Sequence, residues 1–207
     1  MIIIVLLASS STMAQQGDTQ PKFVIKTNPL AALGGPFWFA IMPLTGEYKV
    51  LFEAKTLQKQ SVTLGASYLG PSLLLNLDEL SSEGEGVSGI STSGFRGQLI
   101  YKFFLSRDIE APEGLYVGPH FSYASASITS KENTSNKIDM MKMNVNGLIG
   151  YQLITNGGFA LDVFTGLGVK SRKFTFSGSA EEEFDELNME NKASASVAFG
   201  FSFGYAF

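Results

Sequence analysis

The sequence predicts an all-β chain that closes into an eight-stranded, antiparallel, up-and-down transmembrane β-barrel. Three observations predict this fold: the strict alternation of the last strand, the alternating lengths of the connections, and the 22 glycines that recur inside apolar runs. From position 193 to 207 the odd positions carry apolar, largely aromatic side chains, and the even positions carry small ones. Successive side chains of a strand point to opposite faces, so this segment is one strand with an apolar face and a small-residue face.

Eight segments alternate between turn signals, and each is predicted to form a strand. The predicted strands are, in chain order, 22–33, 37–52, 61–76, 94–105, 114–129, 138–154, 159–176 and 193–207. The first breaks at Gly34, and Pro43 interrupts the second. Glycine within a strand is expected where a barrel bends or where its interior is tight.

The connections between the predicted strands alternate in length. Compact turns are predicted at 55–60, 106–113 and 155–158, whereas longer polar loops follow strands three, five and seven. The short link at Gly34 is an exception. Outer-membrane barrels have short periplasmic turns, longer external loops and an even number of strands. We therefore expect an outer-membrane location with both chain termini on the periplasmic side.

The two ends of the sequence are typical of an exported barrel. Residues 1–14 combine an apolar run with a small-residue segment that ends at Ala14, which predicts a secretory signal peptide cleaved after that residue. No basic residue precedes the apolar run, so we expect the recorded start to lie inside a longer signal. The barrel domain then spans 22–207. The predicted signal for the barrel assembly machinery is the terminal set Phe203, Tyr205 and Phe207.

The composition excludes several classes of site. The chain has no cysteine, which excludes disulfides, thiolate metal sites and a lipidated cysteine anchor. His120 is the single histidine, so one chain cannot supply a multi-histidine metal site. The net charge of -4 gives no electrostatic support for binding nucleic acid. We expect no cofactor and no metal, and a monomer whose partners are outer-membrane lipid and lipopolysaccharide.

A water-soluble, lipocalin-like barrel of eight strands is the main alternative fold, since it is also an up-and-down meander. It would direct its apolar face inward and its charges outward. The polar face of the predicted strands carries mostly glycine, serine and alanine rather than the lysine and glutamate of a solvated face. Aromatic residues also gather near strand ends, as a girdle at a membrane interface requires. Both observations favour the membrane barrel.

Three short segments carry a family resemblance through their order and spacing along the chain. They are Lys26-Thr27-Asn28-Pro29-Leu30, Gly114-Leu115-Tyr116-Val117-Gly118-Pro119 and Gly147-Leu148-Ile149-Gly150-Tyr151-Gln152. With these segments in this order, the chain resembles a family of short outer-membrane β-barrel proteins catalogued as a domain of unknown function. The resemblance covers about residues 23–207. The resemblance implies an eight-stranded barrel and supplies no catalytic residues.

Charged side chains occupy the face predicted to point into the barrel. An eight-stranded barrel is just filled by its side chains, so a wide pore is not expected. The predicted interior charges are Lys26, Glu47, Lys49, Arg96, Lys102, Asp162, Lys170 and Arg172. Buried charges are costly unless paired, so we expect Glu47 and Asp162 each to contact a basic neighbour such as Arg96, Lys49 or Lys102. Such pairs would fix the register and fill the lumen, and a narrow ion pathway is the alternative.

The sharpest enzymatic pattern is His120-Phe121-Ser122. This pattern resembles the His-x-Ser pair of outer-membrane lipid A deacylases. Positions i and i+2 of a strand share a face, so the histidine would lie beside the serine as base and nucleophile. The apolar residues at 115, 117, 121 and 123 are predicted to face the lipid. His120 and Ser122 therefore point into the barrel, away from an acyl substrate. The candidate acid, Glu132, lies in a predicted loop. We therefore expect a lumen histidine hydrogen-bonded to polar neighbours.

Two predicted loops are rich in acidic residues. Their carboxylates are Asp78, Glu79, Glu83 and Glu85 in one, and Glu181, Glu182, Glu183, Asp185, Glu186 and Glu190 in the other. Oxygen ligands of this kind could gather calcium and bridge to lipopolysaccharide. The spacing does not match a dedicated calcium loop, so a solvated acidic rim is the preferred interpretation.

Together these patterns predict a small, non-catalytic outer-membrane barrel with a structural or loop-mediated binding role. A lipid A acyl hydrolase with His120 as base and Ser122 as nucleophile is the first alternative. A narrow channel is the second, and it requires an unblocked lumen.

Overall fold

The computed structural model describes residues 21–33, 45–72, 90–130, 137–177 and 193–207. The strands in this part of the chain are β1 (Phe23–Thr27), β2 (Thr45–Leu57), β3 (Gln60–Pro71), β4 (Ile90–Phe104), β5 (Gly114–Ser130), β6 (Lys137–Ile154), β7 (Phe159–Ser177) and β8 (Ala193–Ala206). Each strand pairs antiparallel with the next one, and β8 pairs with β1, so the sheet closes on itself. The prediction of an eight-stranded antiparallel barrel is confirmed.

The first strand is shorter than predicted. The backbone leaves the sheet after Thr27 and forms a 3-10 helix at Pro29–Ala32. Asn28 caps this helix, because its side-chain oxygen accepts a hydrogen bond of 3.3 Å from the backbone N–H of Ala31. Pro29, in the first turn, has no N–H to donate to a neighbouring strand. The predicted strand to residue 33 was wrong because a capping residue followed by proline overrides the apolar alternation.

Among the described residues, no helix is both long enough and apolar enough to cross a membrane.

The second strand extends further than predicted. It continues to Leu57, and only Gln58 and Lys59 connect it to β3, where a compact turn over 55–60 was expected. A register shift between Lys55 and Leu57 marks a bulge just before this turn. The link at Gly34, the start of the second predicted strand and the end of the third lie outside the described residues.

One end of the barrel, here termed the turn end, carries the connections after β2, β4 and β6. The segment 105–113 folds against this end, where Ala111 is fully buried and its N–H donates to the carbonyl of Gln58 at 2.9 Å. The Lys59 ammonium donates to three carbonyl oxygens of the same segment, at 2.7 to 2.9 Å. These contacts fix the segment over the turn end of the lumen.

A partly buried carboxylate completes this attachment. Glu110 accepts hydrogen bonds from Lys55 Nζ at 2.6 Å and from Gln58 Nε2 at 2.7 Å. These hydrogen bonds, the one from Lys55 first, hold the pKa of Glu110 below its usual value. The attachment therefore depends on an ionised carboxylate.

The opposite end of the barrel, where β3, β5 and β7 end, is here termed the loop end. Residues 34–44, 73–89, 131–136 and 178–192 lie outside the described residues. They include both predicted acidic loops and Glu132.

The inner and outer faces of the barrel differ in polarity. Every strand exposes large apolar side chains on its outer face. On β6 this row consists of Met141, Met143, Val145, Ile149, Tyr151 and Leu153. Charged side chains such as Lys26, Glu53 and Lys102 are buried inside. A lipocalin-like barrel would have the reverse arrangement, with an apolar interior and a charged exterior.

Candidate functional site

The barrel interior contains two groups of charged side chains at different heights. Inward-facing positions are odd on β2 and β3 and even on the other six strands. The group near the turn end, termed the paired network, consists of Lys26, Glu53, Lys102 and Asp162. The group nearer the loop end, termed the cation layer, consists of Lys49, Arg96, Lys142, Lys170 and Arg172, together with Glu47.

The paired network joins two lysines to two carboxylates. Lys26 Nζ lies 2.5 Å from Glu53 Oε2 and 2.6 Å from Asp162 Oδ2. Lys102 Nζ lies 3.1 Å and 2.7 Å from the same two oxygens. All four side chains are 0 to 2% exposed. Each charge therefore contacts both charges of the opposite sign, and the four cancel without help from water.

Neutral groups satisfy the remaining hydrogen-bonding capacity of the paired network. Gln152 Oε1 accepts from both lysines, at 2.8 and 2.7 Å. The Tyr116 hydroxyl donates to Asp162 Oδ1 at 2.8 Å, and the Ser61 hydroxyl donates to Glu53 Oε1 at 2.5 Å. Buried ion pairs are tolerated only when such additional hydrogen bonds accompany the charge pairing.

An apolar cluster lies between the paired network and the turn end. It consists of Phe104, Ala111 and Tyr116. The Tyr116 ring also lies 4.3 Å from Lys102 Nζ, measured to the ring centroid, and so joins the cluster to the network. Together the two groups fill this half of the lumen.

The cation layer has a different balance, because one carboxylate contacts two cations. Glu47 Oε2 lies 2.9 Å from Arg96 Nη1, and Glu47 Oε1 lies 3.4 Å from Lys49 Nζ. The same carboxylate accepts from the Ser67 hydroxyl at 2.7 Å and from Gln98 Nε2 at 3.3 Å. Its acceptor sites are therefore largely used on one side of the barrel.

The strand register brings like charges together on the other side. Lys142 on β6 lies directly opposite Arg172 on β7, and Asn144 lies opposite Lys170. Only Ala124 separates Arg96 from Lys142 in the same row. Like charges on directly opposed residues destabilise a sheet. The register thus concentrates positive charge on the β4 to β7 wall.

A cavity of about 520 Å³ lies beside the cation layer. All five cations of the layer line it, and no aspartate or glutamate among the described residues does. Its neutral polar lining includes His120, Asn146 and Ser202. The cavity beside the cation layer is therefore electropositive within the described residues.

His120 and Ser122 both lie inside the barrel but do not act on each other. His120 Nδ1 lies 3.3 Å from Asn146 Nδ2. Ser122 Oγ instead accepts from Asn144 Nδ2 at 3.1 Å and from Arg96 Nη2 at 3.3 Å. Within the described residues, no hydrogen bond joins His120 to Ser122, and no carboxylate is hydrogen-bonded to His120. The base, nucleophile and acid of a hydrolase are not assembled here.

Two interior charges, Glu53 and Lys142, are not among those predicted from the sequence. Glu53 was missed because the second strand was predicted to end at residue 52, although the inward odd positions of β2 continue through it. Lys142 lies on the predicted inward face of the sixth strand but was not included among the interior charges. Extending the alternation that places Glu47 and Lys49 inside by two more steps would have found Glu53.

Comparison of the chain with protein-family models, with curated proteins and with solved structures finds no match. The resemblance to a family of short outer-membrane barrels therefore stays a prediction from the sequence motifs.

Proposed function

We propose that this chain is a transmembrane β-barrel of a Gram-negative-type outer membrane, with a non-catalytic structural or loop-mediated binding role. The observation that carries the proposal is a continuous apolar exterior around a charged interior. In water such an exterior would be a very large exposed apolar patch, whereas a lipid bilayer covers it.

The height of the apolar exterior supports the proposal. On β6 the outward row of apolar residues runs from Met141 to Leu153, which is 12 residue steps. At a rise of about 3.3 Å per residue and a strand tilt of about 40°, these steps correspond to about 30 Å of barrel height. That is enough to span the apolar band of about 25 Å that outer-membrane barrels present.

Aromatic side chains at both edges of the apolar exterior also support a membrane location. Near the turn end Phe23 stacks on Phe52, with ring centroids 5.7 Å apart, and lies 5.9 Å from Phe207. Near the loop end Tyr48 stacks on Tyr68 at 6.3 Å. Amphipathic rings gather at the two membrane–water interfaces of such barrels.

In this proposal residues 1–14 are a signal peptide, and the turn end and both termini face the periplasm. The loop end faces the exterior, where its connections contact other molecules. Outer-membrane lipid and lipopolysaccharide surround the barrel. The barrel assembly machinery inserts it by way of Phe203, Tyr205 and Phe207, and nucleic acid is not a partner.

A non-catalytic, non-conducting role is favoured over the two alternatives. A hydrolase would need His120 and Ser122 in contact and open to lipid, but both are buried in the interior with other partners. A channel would need a continuous water path, but the paired network and the apolar cluster beneath it fill the turn-end half of the lumen.

The test of location uses the full chain expressed in a Gram-negative host. We expect it in outer-membrane fractions that resist carbonate extraction. Val145→Arg should lower the free energy of unfolding in lipid vesicles by about 2–4 kcal/mol, because Val145 lies near the middle of the outward row of β6. Val145→Leu is the matched control and should change little. A chain recovered from the soluble fraction, or one that tolerates Val145→Arg, would contradict the proposal.

The test of catalysis is a mass spectrum of lipid A from cells that express the wild type, the His120→Ala variant or neither. We expect identical spectra. Loss of one acyl chain with the wild type alone would make the protein a lipid A hydrolase.

A further inference from the structure

The cavity beside the cation layer has the size of a small-molecule site. Its volume of about 520 Å³ falls within the range of roughly 300–1,000 Å³ that is usual for ligand pockets. Its lining has five cationic side chains, and no acidic side chain of the described residues contributes to it. Electrostatics alone would therefore draw an anion into this cavity.

Within the part of the chain that the structure describes, the positive charge around this cavity exceeds the negative charge. The paired network shows that the same barrel can neutralise two interior lysines with two carboxylates. In the cation layer Lys170 and Arg172 instead lie two positions apart on the inward face of β7, and no carboxylate of the described residues forms an ion pair with either. An anion bound beside them would convert the repulsion between like charges into attraction.

Neutral side chains around the cavity also hold unused hydrogen-bonding atoms. His120 Nε2 and Ser202 Oγ are buried and lack a partner within the described structure. The two residues are 4% and 2% exposed. His120 Nδ1 lies 3.3 Å from Asn146 Nδ2, and in the tautomer in which Nδ1 accepts from this amide the ring hydrogen lies on Nε2, which is then a donor. In that tautomer two neutral donors of the cavity wall lack an acceptor within the described residues, and two amide oxygens of the wall, Asn144 Oδ1 and Asn146 Oδ1, lack a donor.

We propose that this cavity binds a phosphate group, carried either by a lipid headgroup or by a soluble compound. Arg96, Lys170 and Arg172 supply positive charge, and His120 and Ser202 supply neutral donors. A phosphate monoester carries close to two negative charges at neutral pH and has three acceptor oxygens, which matches several cations better than a carboxylate does. Recognition of the group does not depend on the proposed membrane location.

The border of the cavity explains why both sources are considered. The described pairing between β1 and β8 ends at Thr27 and Phe203, and Val197 and Phe199 lie farther along β8 toward the loop end. Val197 and Phe199 line the cavity there and are 75% and 78% exposed. Acyl chains could lie against these outward side chains while a headgroup occupies the cavity.

The experiment measures binding by isothermal titration calorimetry to the full chain folded in a neutral detergent. The probes are pyrophosphate, dihexanoyl phosphatidate and dihexanoyl phosphatidylcholine. The test variant is Lys170→Gln/Arg172→Gln. The matched control is Lys173→Gln, because Lys173 lies beside Arg172 on β7 but is exposed on the outer face.

We expect phosphatidate or pyrophosphate to bind the wild type, and the double variant to weaken that binding at least tenfold. Lys173→Gln should leave it unchanged, and phosphatidylcholine should bind much more weakly than phosphatidate. Binding of both phosphate probes would assign recognition to the phosphate group alone, and binding of phosphatidate alone would identify a lipid source. Failure of both probes to bind, or an equal loss in Lys173→Gln, would overturn the proposal.

A second variant keeps the test decisive if the double variant does not fold. Ser202→Ala removes one neutral donor and no charge, and it should weaken binding of the phosphate probe about two- to tenfold, the factor that corresponds to one lost hydrogen bond. Unchanged affinity in a folded Ser202→Ala protein would contradict the assigned site.

Discussion

The paired network and the cation layer lie in the same lumen but differ in their balance of positive and negative side chains. In the network, Lys26 and Lys102 share Glu53 and Asp162, and every side chain is almost completely buried. In the layer, five cations line a cavity. Among the described residues, Glu47 is the one carboxylate that pairs with any of them, and it contacts Arg96 and Lys49. The first arrangement balances its charges internally, and the second borders an electropositive cavity.

This difference separates structural charge from charge available to a ligand. A buried charge that is paired and hydrogen-bonded is satisfied by the fold, so it needs no further partner. A group of like charges is stable only if something else compensates for it. The comparison therefore predicts that removing a charge destabilises the barrel at the network but can stabilise it at the layer.

The largest effect is expected from Asp162→Asn. This change leaves Lys26 and Lys102 with Glu53 as their single carboxylate, and so leaves a buried charge without compensation. We expect the free energy of unfolding, measured by urea titration in lipid vesicles, to fall by about 3–5 kcal/mol.

The matched control for that prediction removes one charge of each sign. In Lys102→Met/Asp162→Asn the pair between Lys26 and Glu53 remains and the charges balance again. The double variant should therefore lose less stability than Asp162→Asn. If both proteins lose the same amount, charge balance is not what stabilises the network.

Glu47→Gln should have an intermediate effect. Its carboxylate contacts Arg96 and Lys49 and accepts from Ser67, so the variant loses charge-assisted hydrogen bonds and increases the positive excess of the layer. We expect a loss of about 1.5–3 kcal/mol in unfolding free energy in phosphate-free buffer. Pyrophosphate should restore more stability to this variant than to the wild type. Equal stabilisation of the two proteins would argue against a shared anion site.

Arg172→Gln should act in the opposite direction. Removing one of two like charges on opposed residues of β6 and β7 should raise the free energy of unfolding by about 0.2–1 kcal/mol in phosphate-free buffer. With pyrophosphate present, the wild type should gain more stability than the variant, so the difference narrows or reverses. A variant that is less stable under both conditions would show that Arg172 is structurally paired.

Sequence alternation predicted the barrel because inward and outward positions keep a period of two along each long strand. The ends of β5 to β8 lie within a residue or two of the prediction. The alternation failed where local chemistry overrode it, at Asn28 and Pro29, and where a strand continued past an expected turn, at the end of β2. It also failed at the start of β4, which begins at Ile90 within a segment predicted to be loop, rather than at residue 94.

The composition of the two charge groups could be read only in part from the sequence. Parity alone puts Lys102 and Asp162 inside, but it does not give the relative heights of strands that are far apart in the chain. Lys26 and Asp162 are 136 residues apart and meet only because β1 and β7 both flank β8. That proximity depends on barrel closure and register, which a single sequence does not specify.

The smallest effect is expected outside the lumen, at Glu110. Hydrogen bonds from Lys55 and Gln58 lower the pKa of this carboxyl in the folded protein, so its stabilising contribution is present at neutral pH and is lost as the pH falls through the lowered pKa. The Ala111 N–H donates to the Gln58 carbonyl. Its amide hydrogen exchange should therefore be faster in Glu110→Gln than in the wild type at neutral pH. The two rates should converge, after correction for intrinsic exchange, in acid. Exchange of amides beside the buried paired network provides an internal reference. A difference that persists at low pH would mean that Glu110 holds the segment through packing rather than through its charge.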